Sequence, residues 1–179
     1  AAANNKNSVS ISSANTNTVL TLSSLSDGLY NLYAADPFNN LSTAVVATIR
    51  VDNTAPTPTS IAVNSAGTAI LLTASETITN SIQVYGWYTI SDSSSAISVT
   101  STSFSGTVAT LTLARAIPAG STVTFAYSPG GGSAAGRWID PAGNEMAAIT
   151  SRTITNNSAV AIVVTLTVPT TVAKGNSLT

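Results

Sequence analysis

A short acidic turn occurs twice in this chain, at a spacing of 104 residues. Asp36-Pro37-Phe38-Asn39-Asn40 is matched by Asp140-Pro141-Ala142-Gly143-Asn144. At the same spacing, Val51-Asp52-Asn53-Thr54-Ala55-Pro56 aligns with Thr155-Asn156-Asn157-Ser158-Ala159-Val160. A repeat whose period equals the length of one small domain is typical of tandem modules. We therefore predict the C-terminal part of a module, or an incomplete module, at residues 1–53 and a complete module at 54–157. Residues 158–179 are either the start of a further module or a donated strand.

The composition predicts a folded chain with very little ionic surface. Only 7% of the residues are charged, the formal net charge is −1, and 44% of the residues are hydrophobic. Disorder needs low hydrophobicity and high net charge, so the polar surface must come from hydroxyl and amide groups. A nearly neutral chain attracts neither nucleic acid nor an anionic membrane strongly, and we predict no nucleic acid partner. No apolar run approaches the roughly 20 residues of a membrane span, so none is predicted.

The hydrophobic pattern is that of β-strands over most of the chain. Short segments rich in β-branched residues alternate with clusters of Gly, Pro, Ser and Asn, as in an all-β sandwich. Strands are predicted at 19–22, 29–33, 42–51, 59–63, 68–73, 82–90, 97–103, 107–113, 122–127 and 147–155. A four-residue hairpin turn is predicted at Asn64-Ser65-Ala66-Gly67. Period-2 alternation predicts that the inward face of the complete module contains Ile61, Val63, Ile70, Leu72, Val84, Leu111, Leu113, Val123 and Phe125.

Five segments resemble a known bacterial family and occur in the order that the family has them. They are Thr54–Ser60, Leu71–Glu76, Leu111–Ile117, Val123–Tyr127 and Ile139–Asn144. Together they resemble the swimming-motility-type repeat, an immunoglobulin-like module that occurs in tandem in very large cell-surface proteins. The resemblance covers about 54–157. It implies a fold of tandem immunoglobulin-like antiparallel β-sandwich modules.

The first 53 residues resemble the end of a related module from biofilm-type adhesins. The similar parts are Leu22–Tyr30, the acidic turn at Asp36, and the linker Val51–Pro56. The sequence departs from that pattern at Asn39, which stands where Gly is usual. Because Asn tolerates positive φ better than most residues, we expect the turn to form.

The chain offers little for catalysis. It contains no His and only two Lys, so the base that a hydrolytic triad needs is missing. Glu76 and Glu145 are the only glutamates, and a carboxylate pair could serve glycoside hydrolysis. Both fit better as ordinary positions, Glu76 at a strand end and Glu145 after a turn. We therefore predict that the protein is not an enzyme.

Calcium is the stronger chemical hypothesis, because hard cations take 6–8 oxygen ligands from carboxylates, amides and backbone carbonyls. The resemblance implies that the acidic turn and the Val-Asp linker can bind calcium at a junction. The first candidate set is Asp36, Asn40 and Asp52, and a weaker set is Asp140 and Asn144, where Asn156 replaces the linker aspartate. The alternative is that these side chains only hydrogen bond within their own turns.

These observations predict a non-catalytic structural or adhesive segment of a bacterial extracellular surface protein, such as an adhesin stalk, surface layer, sheath or fibre subunit. Its partners would be copies of itself, neighbouring modules of the same protein, or a glycan or other surface ligand. Two explanations stay open for the incomplete first module and the apolar run Ala159–Val168: the chain is a window from a longer polypeptide whose other residues complete both modules, or the subunits self-assemble by strand donation. The alternative is a carbohydrate- or protein-binding module of a secreted protein. Exposure of Trp87 and Tyr88 would favour that alternative, and their burial would disfavour it.

Overall fold

The predicted all-β class is confirmed. A computed structural model describes residues 7–12, 17–44, 48–80, 84–93, 95–130 and 136–160. Most of the third predicted segment, 158–179, lies outside these residues. The described residues form nine strands: β1 (Gly28–Asn31), β2 (Thr48–Val51), β3 (Pro58–Val63), β4 (Ala69–Ala74), β5 (Tyr88–Ser91), β6 (Val99–Ser105), β7 (Val108–Leu113), β8 (Val123–Tyr127) and β9 (Ile149–Asn156). A short 3₁₀ helix, Tyr85–Trp87, precedes β5.

Strands β3 to β9 form one curled sheet in the order β5-β8-β9-β3-β4-β7-β6, and β1 and β2 form a separate antiparallel pair. Strand β3 bonds to β4 on one side and to β9 on the other, so it joins the two halves of the sheet. Every pairing in the large sheet is antiparallel except β3 with β9, which is parallel through Ala62–Thr155 and Val63–Asn156. The prediction of a wholly antiparallel module is corrected here, because the last strand returns beside the first in the same direction.

The parallel pairing decides where the chain enters and leaves the seven-stranded sheet. The ends of β3 and β9 lie side by side, so the start of β3 and the end of β9 lie at opposite ends of the pair. We call the end near Pro58 the incoming end and the end near Asn156 the outgoing end. The backbone therefore passes through the module from one end to the other.

One hydrophobic cluster receives side chains from all seven strands, which requires the sheet to curl over itself. Eight of the nine predicted inward residues are buried, and Val84, just before the 3₁₀ helix, is half-buried. The largest fully buried side chain is Trp138. Its ring stacks on Tyr127 with centroids 4.8 Å apart, meets Phe104 edge-on, and donates from Nε1 to the Tyr88 hydroxyl at 2.9 Å. These aromatic contacts close the core beside the acidic turn at Asp140.

One strand prediction is wrong and two are wrong in part. Residues 19–22 are not a strand, and the segment 42–51 forms a strand only at 48–51, with 45–47 outside the described residues. In both places the described chain has only a two-stranded sheet to pack on, and β-propensity acts mainly through such packing. Of the predicted strand 82–90, residues 88–90 lie in β5 and Tyr85–Trp87 form a 3₁₀ helix instead, whereas 82–83 lie outside the described residues.

Glycines explain the position of Trp87 in that 3₁₀ helix. A Cβ at Gly136 would lie 2.9 Å from the Trp87 ring and 2.4 Å from a Val84 methyl group, and one at Gly130 would lie 3.0 Å from Trp87 Nε1. The indole therefore packs over backbone that only glycine leaves open. As a result, Trp87 is half-buried against the core instead of alternating with its neighbours along a strand.

The buried phenol of Tyr88 predicts a loss of stability in alkali. Burial raises the pKa of Tyr88 to about 12, from the usual value of 10.0. Above pH 10 the unfolded chain ionises this group while the folded chain does not, so the stability is complete below pH 10 and falls as the pH rises toward 12. We expect a decrease of about 1.4 kcal/mol per pH unit from this residue. Urea titrations at pH 9, 10 and 11 should show a shallower decrease for Tyr88→Phe; equal slopes would contradict the burial.

Candidate functional site

The two acidic turns have the same internal geometry. In the first, Asp36 Oδ1 accepts from the backbone N–H groups of Phe38 at 2.9 Å and Asn40 at 2.8 Å, and Oδ2 accepts from Asn40 Nδ2 at 2.8 Å. The turn that begins at Asp140 repeats all three bonds, each at 2.8 Å, with the residues two and four positions later. Each carboxylate thus holds its own turn, as the alternative to metal binding proposed.

The backbone conformation of the two acidic turns is repeated as well. The fourth residue of each turn has positive φ, 65° at Asn39 and 94° at Gly143, so Asn39 does take the conformation that usually requires Gly. The residue before each turn forms an isolated antiparallel bridge with the residue after it, Ala35 with Leu41 and Ile139 with Glu145. The sequence repeat at a spacing of 104 is therefore also a structural repeat.

The two turns differ in burial. Asp36 and Asn40 are exposed, whereas Asp140 is only 1% exposed. Burial alone would raise the pKa of Asp140, but its hydrogen bonds from the Asn144 side chain and from backbone N–H groups of the turn outweigh burial and lower it. The pKa of Asp36 is lowered mainly by the side chain and backbone of Asn40. The same motif thus has an exposed carboxylate in one copy and a buried carboxylate in the other.

The linkers that follow the turns repeat a second local structure. Asp52 Oδ1 accepts from the N–H of Thr54 at 3.3 Å, and Asn156 Oδ1 accepts from the N–H of Ser158 at 3.1 Å. The Ser158 hydroxyl also donates to Asn156 Oδ1, at 2.6 Å. These bonds are side-chain turns of the kind that Asp and Asn favour. An Asp-to-Asn change between the two linkers therefore preserves the turn while it removes a charge.

At the incoming end, hydrogen bonds join the linker to both flanking parts of the chain. The side-chain amide of Asn53 donates to the Leu25 carbonyl and to Asp27 Oδ1, both at 2.9 Å. On the other side, Asn144 Nδ2 donates to the Asp52 carbonyl at 2.9 Å. Residues 52–54 are thus held between the first unit and the acidic turn of the second.

The same junction brings three carboxylates together. Asp52, Glu76 and Asp140 each place an oxygen so that all three lie within 4.8 Å of one another. Partial burial, followed by repulsion from Asp52 and Asp140, raises the pKa of Glu76. Arg50 pairs with Asp52 at 2.5 Å, but its side chain is 65% exposed and the pair is screened by solvent. The arrangement concentrates negative charge in a chain that has very little.

The predicted calcium ligands are distributed differently from the sequence expectation. The carboxylate of Asp36 is bonded to Asn40 within its own turn, whereas Asp52 lies with Asp140 of the following turn. Glu76 was missed, since it was interpreted as an ordinary strand-end residue. The predicted hairpin contained the signal: the antiparallel β3–β4 pair necessarily returns residue 75 to residue 57, and the Ser75 N–H donates to the Thr57 carbonyl at 2.8 Å. Metal binding by any of these residues stays a prediction.

At the outgoing end, the linker is bonded to two turns of the complete module. Asn156 Nδ2 donates to the carbonyls of Pro118 at 2.9 Å and Ser121 at 3.0 Å, and the Ala159 N–H donates to the Ser65 carbonyl at 2.9 Å. Gly67 in the β3–β4 turn has φ 74°, and a Cβ there would lie 2.5 Å from the Ile117 carbonyl oxygen. Both ends of the module therefore hold their linkers through specific hydrogen bonds.

Comparison with known proteins gives a limited likeness. Neither a family model nor a curated protein matches the chain. Among solved structures, the N-terminal part of the bacterial S-layer protein SbsC and the S-layer protein rSbsC(31-844) are similar, each with a TM-score of 0.46 and 21% identity over 59% of this chain. The match covers 24% and 14% of those two chains, so this chain spans a quarter of their length or less. In the described part of the chain, no helix has the length and apolarity to cross a membrane.

The repeated turn provides its own matched control for a stability prediction. Asp140→Ala should destabilise the seven-stranded sheet by about 2–3 kcal/mol, because it removes the three hydrogen bonds that a buried, charged acceptor makes with its turn. Both tryptophans, Trp87 and Trp138, lie within this module, so their fluorescence reports its unfolding. Asp36→Ala should leave that transition unchanged. Equal effects of the two substitutions would contradict the assigned burial.

The contribution of Asp140 to folding stability depends on pH in one direction. Since the pKa of Asp140 is lowered below its usual 3.8, its stabilising contribution is complete above that pH and is lost as the pH falls through the folded-state pKa.

Proposed function

We propose that the chain is a non-catalytic structural segment of a bacterial extracellular surface protein, in which immunoglobulin-like modules in tandem carry load or hold other parts away from the cell. The repeated turn and linker support the tandem arrangement, and the family resemblance supports the cell-surface location. The absence of His from the sequence supports a non-catalytic role. One observation carries the load-bearing part of the proposal: the first and last strands of the module are parallel neighbours.

Parallel terminal strands determine how tension acts on the module. A force along the chain pulls the start of β3 and the end of β9 in opposite directions, each along its own axis. The hydrogen bonds that hold β3 between β4 and β9 are then loaded together in shear, instead of breaking one after another. A geometry of this kind resists extension, which is what a stalk or layer subunit requires.

The junctions add to this role. Each linker is bonded on the module side through a side-chain amide, Asn144 at the incoming end and Asn156 at the outgoing end. Such bonds restrict the angle between successive modules and favour an extended array. A stiff array transmits force and keeps its length, whereas a flexible one does not.

The binding-module alternative receives less support. Tyr88 is buried and bonded to Trp138, and Trp87 is half-buried against the core. A sugar-stacking platform needs exposed aromatic faces, and of that segment Tyr85 alone, 38% exposed, offers one. We therefore favour the structural role.

Calcium would fit the incoming junction as a stiffening ion. The Asp52, Glu76 and Asp140 carboxylates offer hard oxygen ligands, and a carboxylate with about four acceptor sites retains free capacity after the bonds of the Asp140 turn. When bound, the ion would neutralise the repulsion that, after partial burial, raises the pKa of Glu76, and it would join the linker to the module.

The load-bearing proposal is tested by pulling one chain in two directions. The chain contains no Cys, so a pair of introduced cysteines defines unique attachment points. With Thr57→Cys and Asn157→Cys, tension shears β3 against its neighbours. With Thr57→Cys and Ser75→Cys, tension unzips the β3–β4 hairpin from its open end. Optical-tweezer or force-microscope traces should show a clearly higher unfolding force for the first pair.

The first pair should also release a defined length. Residues 58–156 should unfold together to a contour length of roughly 330–360 Å, and the measured gain is this length minus the folded distance between the two cysteines. Equal forces for the two attachment pairs would overturn the load-bearing proposal.

The calcium proposal predicts that Glu76→Gln changes the melting temperature in opposite directions without and with calcium. Without calcium, Glu76→Gln should raise the melting temperature at pH 7, because it removes a repelled charge. In millimolar calcium the unsubstituted protein should gain stability, and Glu76→Gln or Asp52→Asn should lose most of that gain. Asp36→Asn is the control and should keep it. If calcium does not move the melting temperature of the unsubstituted protein, this junction is not a calcium site.

A further inference from the structure

The first acidic turn carries a large apolar side chain at a position where the second turn carries a small one. Phe38 follows Asp36-Pro37, and Ala142 holds the corresponding position after Asp140-Pro141. Phe38 is 85% exposed, more than any other large hydrophobic side chain among the described residues. Ala142 is also exposed, although its turn belongs to the seven-stranded module. The exposure of this position is therefore a property of the turn itself.

The turn holds Phe38 on a fixed backbone, next to a carboxylate. Asp36 Oδ1 accepts from the N–H of Phe38 at 2.9 Å and from the N–H of Asn40 at 2.8 Å, and Pro37 fixes one further φ angle. No described cation pairs with Asp36, and a carboxylate with about four acceptor sites can accept further bonds. We call Asp36–Phe38 the apex. It presents an apolar ring beside a negative charge and needs little ordering to bind.

A groove opens on the module where β3 and β9 separate. The two strands pair only through Ala62–Thr155 and Val63–Asn156. Nearer the incoming end, Pro56 and Pro58 have no N–H that could extend this ladder. Register shifts in the β3–β4 and β8–β9 pairings bend the strands at the same level. The result is a cavity of about 210 Å³, a size that suits one large side chain. It is lined by Pro56, Pro58, Ala147, Ala148, Ile149 and Arg152, among others.

Arg152 gives this groove a positive charge. Three of the four arginines pair with carboxylates: Arg50 with Asp52, Arg115 with Asp92, and Arg137 with Glu145. Arg152 is exposed, and no carboxylate of the described residues pairs with it. The groove therefore combines apolar walls with an exposed guanidinium group that is available to an acidic partner.

We propose that the apex of one copy docks into this groove of a second copy; the inference deepens the proposed structural function by naming a partner. The two surfaces are complementary in shape and charge. The Phe38 ring enters the apolar groove, and the Asp36 carboxylate pairs with Arg152. Aromatic and arginine side chains are the residue types that most often anchor protein interfaces.

The two surfaces do not meet within one copy. Phe38 is largely exposed and does not line the groove. The linker between them is bonded on both sides, by Asn53 to the Leu25 carbonyl and Asp27, and by Asn144 to the Asp52 carbonyl. These bonds hold the first unit in the position in which its apex is free. A second copy therefore has to supply the apex.

The contact is heterologous, because the apex and the groove are different surfaces and each copy keeps one of them free. Repetition of the contact builds a chain of copies. One ring and one exposed ion pair make a small interface, so a single contact is weak. Copies that make several such contacts at once bind more tightly through avidity. A weak, repeated contact suits a structural protein that assembles in large numbers.

The test compares two apolar truncations in the full chain. Sedimentation velocity up to millimolar concentration should show concentration-dependent association for the unsubstituted protein and for Val19→Ala, which removes an 82% exposed side chain outside the apex. Phe38→Ala should weaken association at least about tenfold. The turn should still form, because the second turn has Ala at this position. If Phe38→Ala associates as strongly as Val19→Ala, the inference is wrong.

A mixing experiment identifies the groove. Arg152→Glu should weaken association at least about tenfold, because it places a like charge opposite Asp36. Tryptophan fluorescence verifies that the seven-stranded sheet of this variant is folded. Mixed with Phe38→Ala, which keeps an intact groove, Arg152→Glu keeps an intact apex, and the two should form 1:1 dimers and nothing larger. Failure to form these dimers would contradict the pairing of apex and groove.

Salt separates the ionic part of the contact from the apolar part. High salt should weaken association of the unsubstituted protein, because an exposed ion pair is screened, and should leave the residual association of Arg152→Gln unchanged. An unsubstituted chain that stays monomeric at millimolar concentration, yet keeps its high unfolding force in shear, would overturn docking and leave the load-bearing function standing.

Discussion

The incoming end of the module depends on the hydrogen bonds that the Asp140 carboxylate accepts. A buried charge is costly unless hydrogen bonds compensate it, and the Asp140 turn supplies three. The same bonds fix Asn144, whose amide reaches the carbonyl of Asp52 in the linker. Two residues before the turn, Trp138 closes the core, and its carbonyl accepts from the Met146 N–H at 2.8 Å. One carboxylate thus connects the aromatic core to the junction.

The rest of the chain shows how a protein with few charges orders its loops. Side-chain amides hold these loops in place of ion pairs. Asn64 Oδ1 accepts from the N–H groups of Thr68 and Ala69 in the β3–β4 turn. At the outgoing end, Asn156 Nδ2 donates to two carbonyls. A buried exception is Asp92, which pairs with Arg115 at 2.6 Å and orders the loop after β5. Neutral amide bonds are insensitive to ionic strength, unlike surface ion pairs.

Sequence patterns predicted the fold well where two layers of strands cover each other. In the complete module, the period-2 alternation identified β3, β4, β7 and β8 within one or two residues, together with eight buried core residues. The same pattern failed at 19–22, because alternation produces a stable strand only when a second layer buries one face. It also missed the 3₁₀ helix at Tyr85–Trp87, which depends on the distant glycines Gly130 and Gly136. Local propensity carries no information about such partners.

The junction was harder to predict because each linker does not contact the acidic turn that is nearest to it in the sequence. Sequence order groups each acidic turn with the linker that follows it, Asp36 with Asp52 and Asp140 with Asn156. In the complete module, however, β9 carries the chain from the acidic turn at the incoming end to Asn156 at the outgoing end. The turn therefore faces the linker that precedes the module, and Asp140 lies with Asp52, 88 residues earlier. In this chain, the acidic junction is therefore shared between the linker that precedes the seven-stranded sheet and the turn at Asp140 within it.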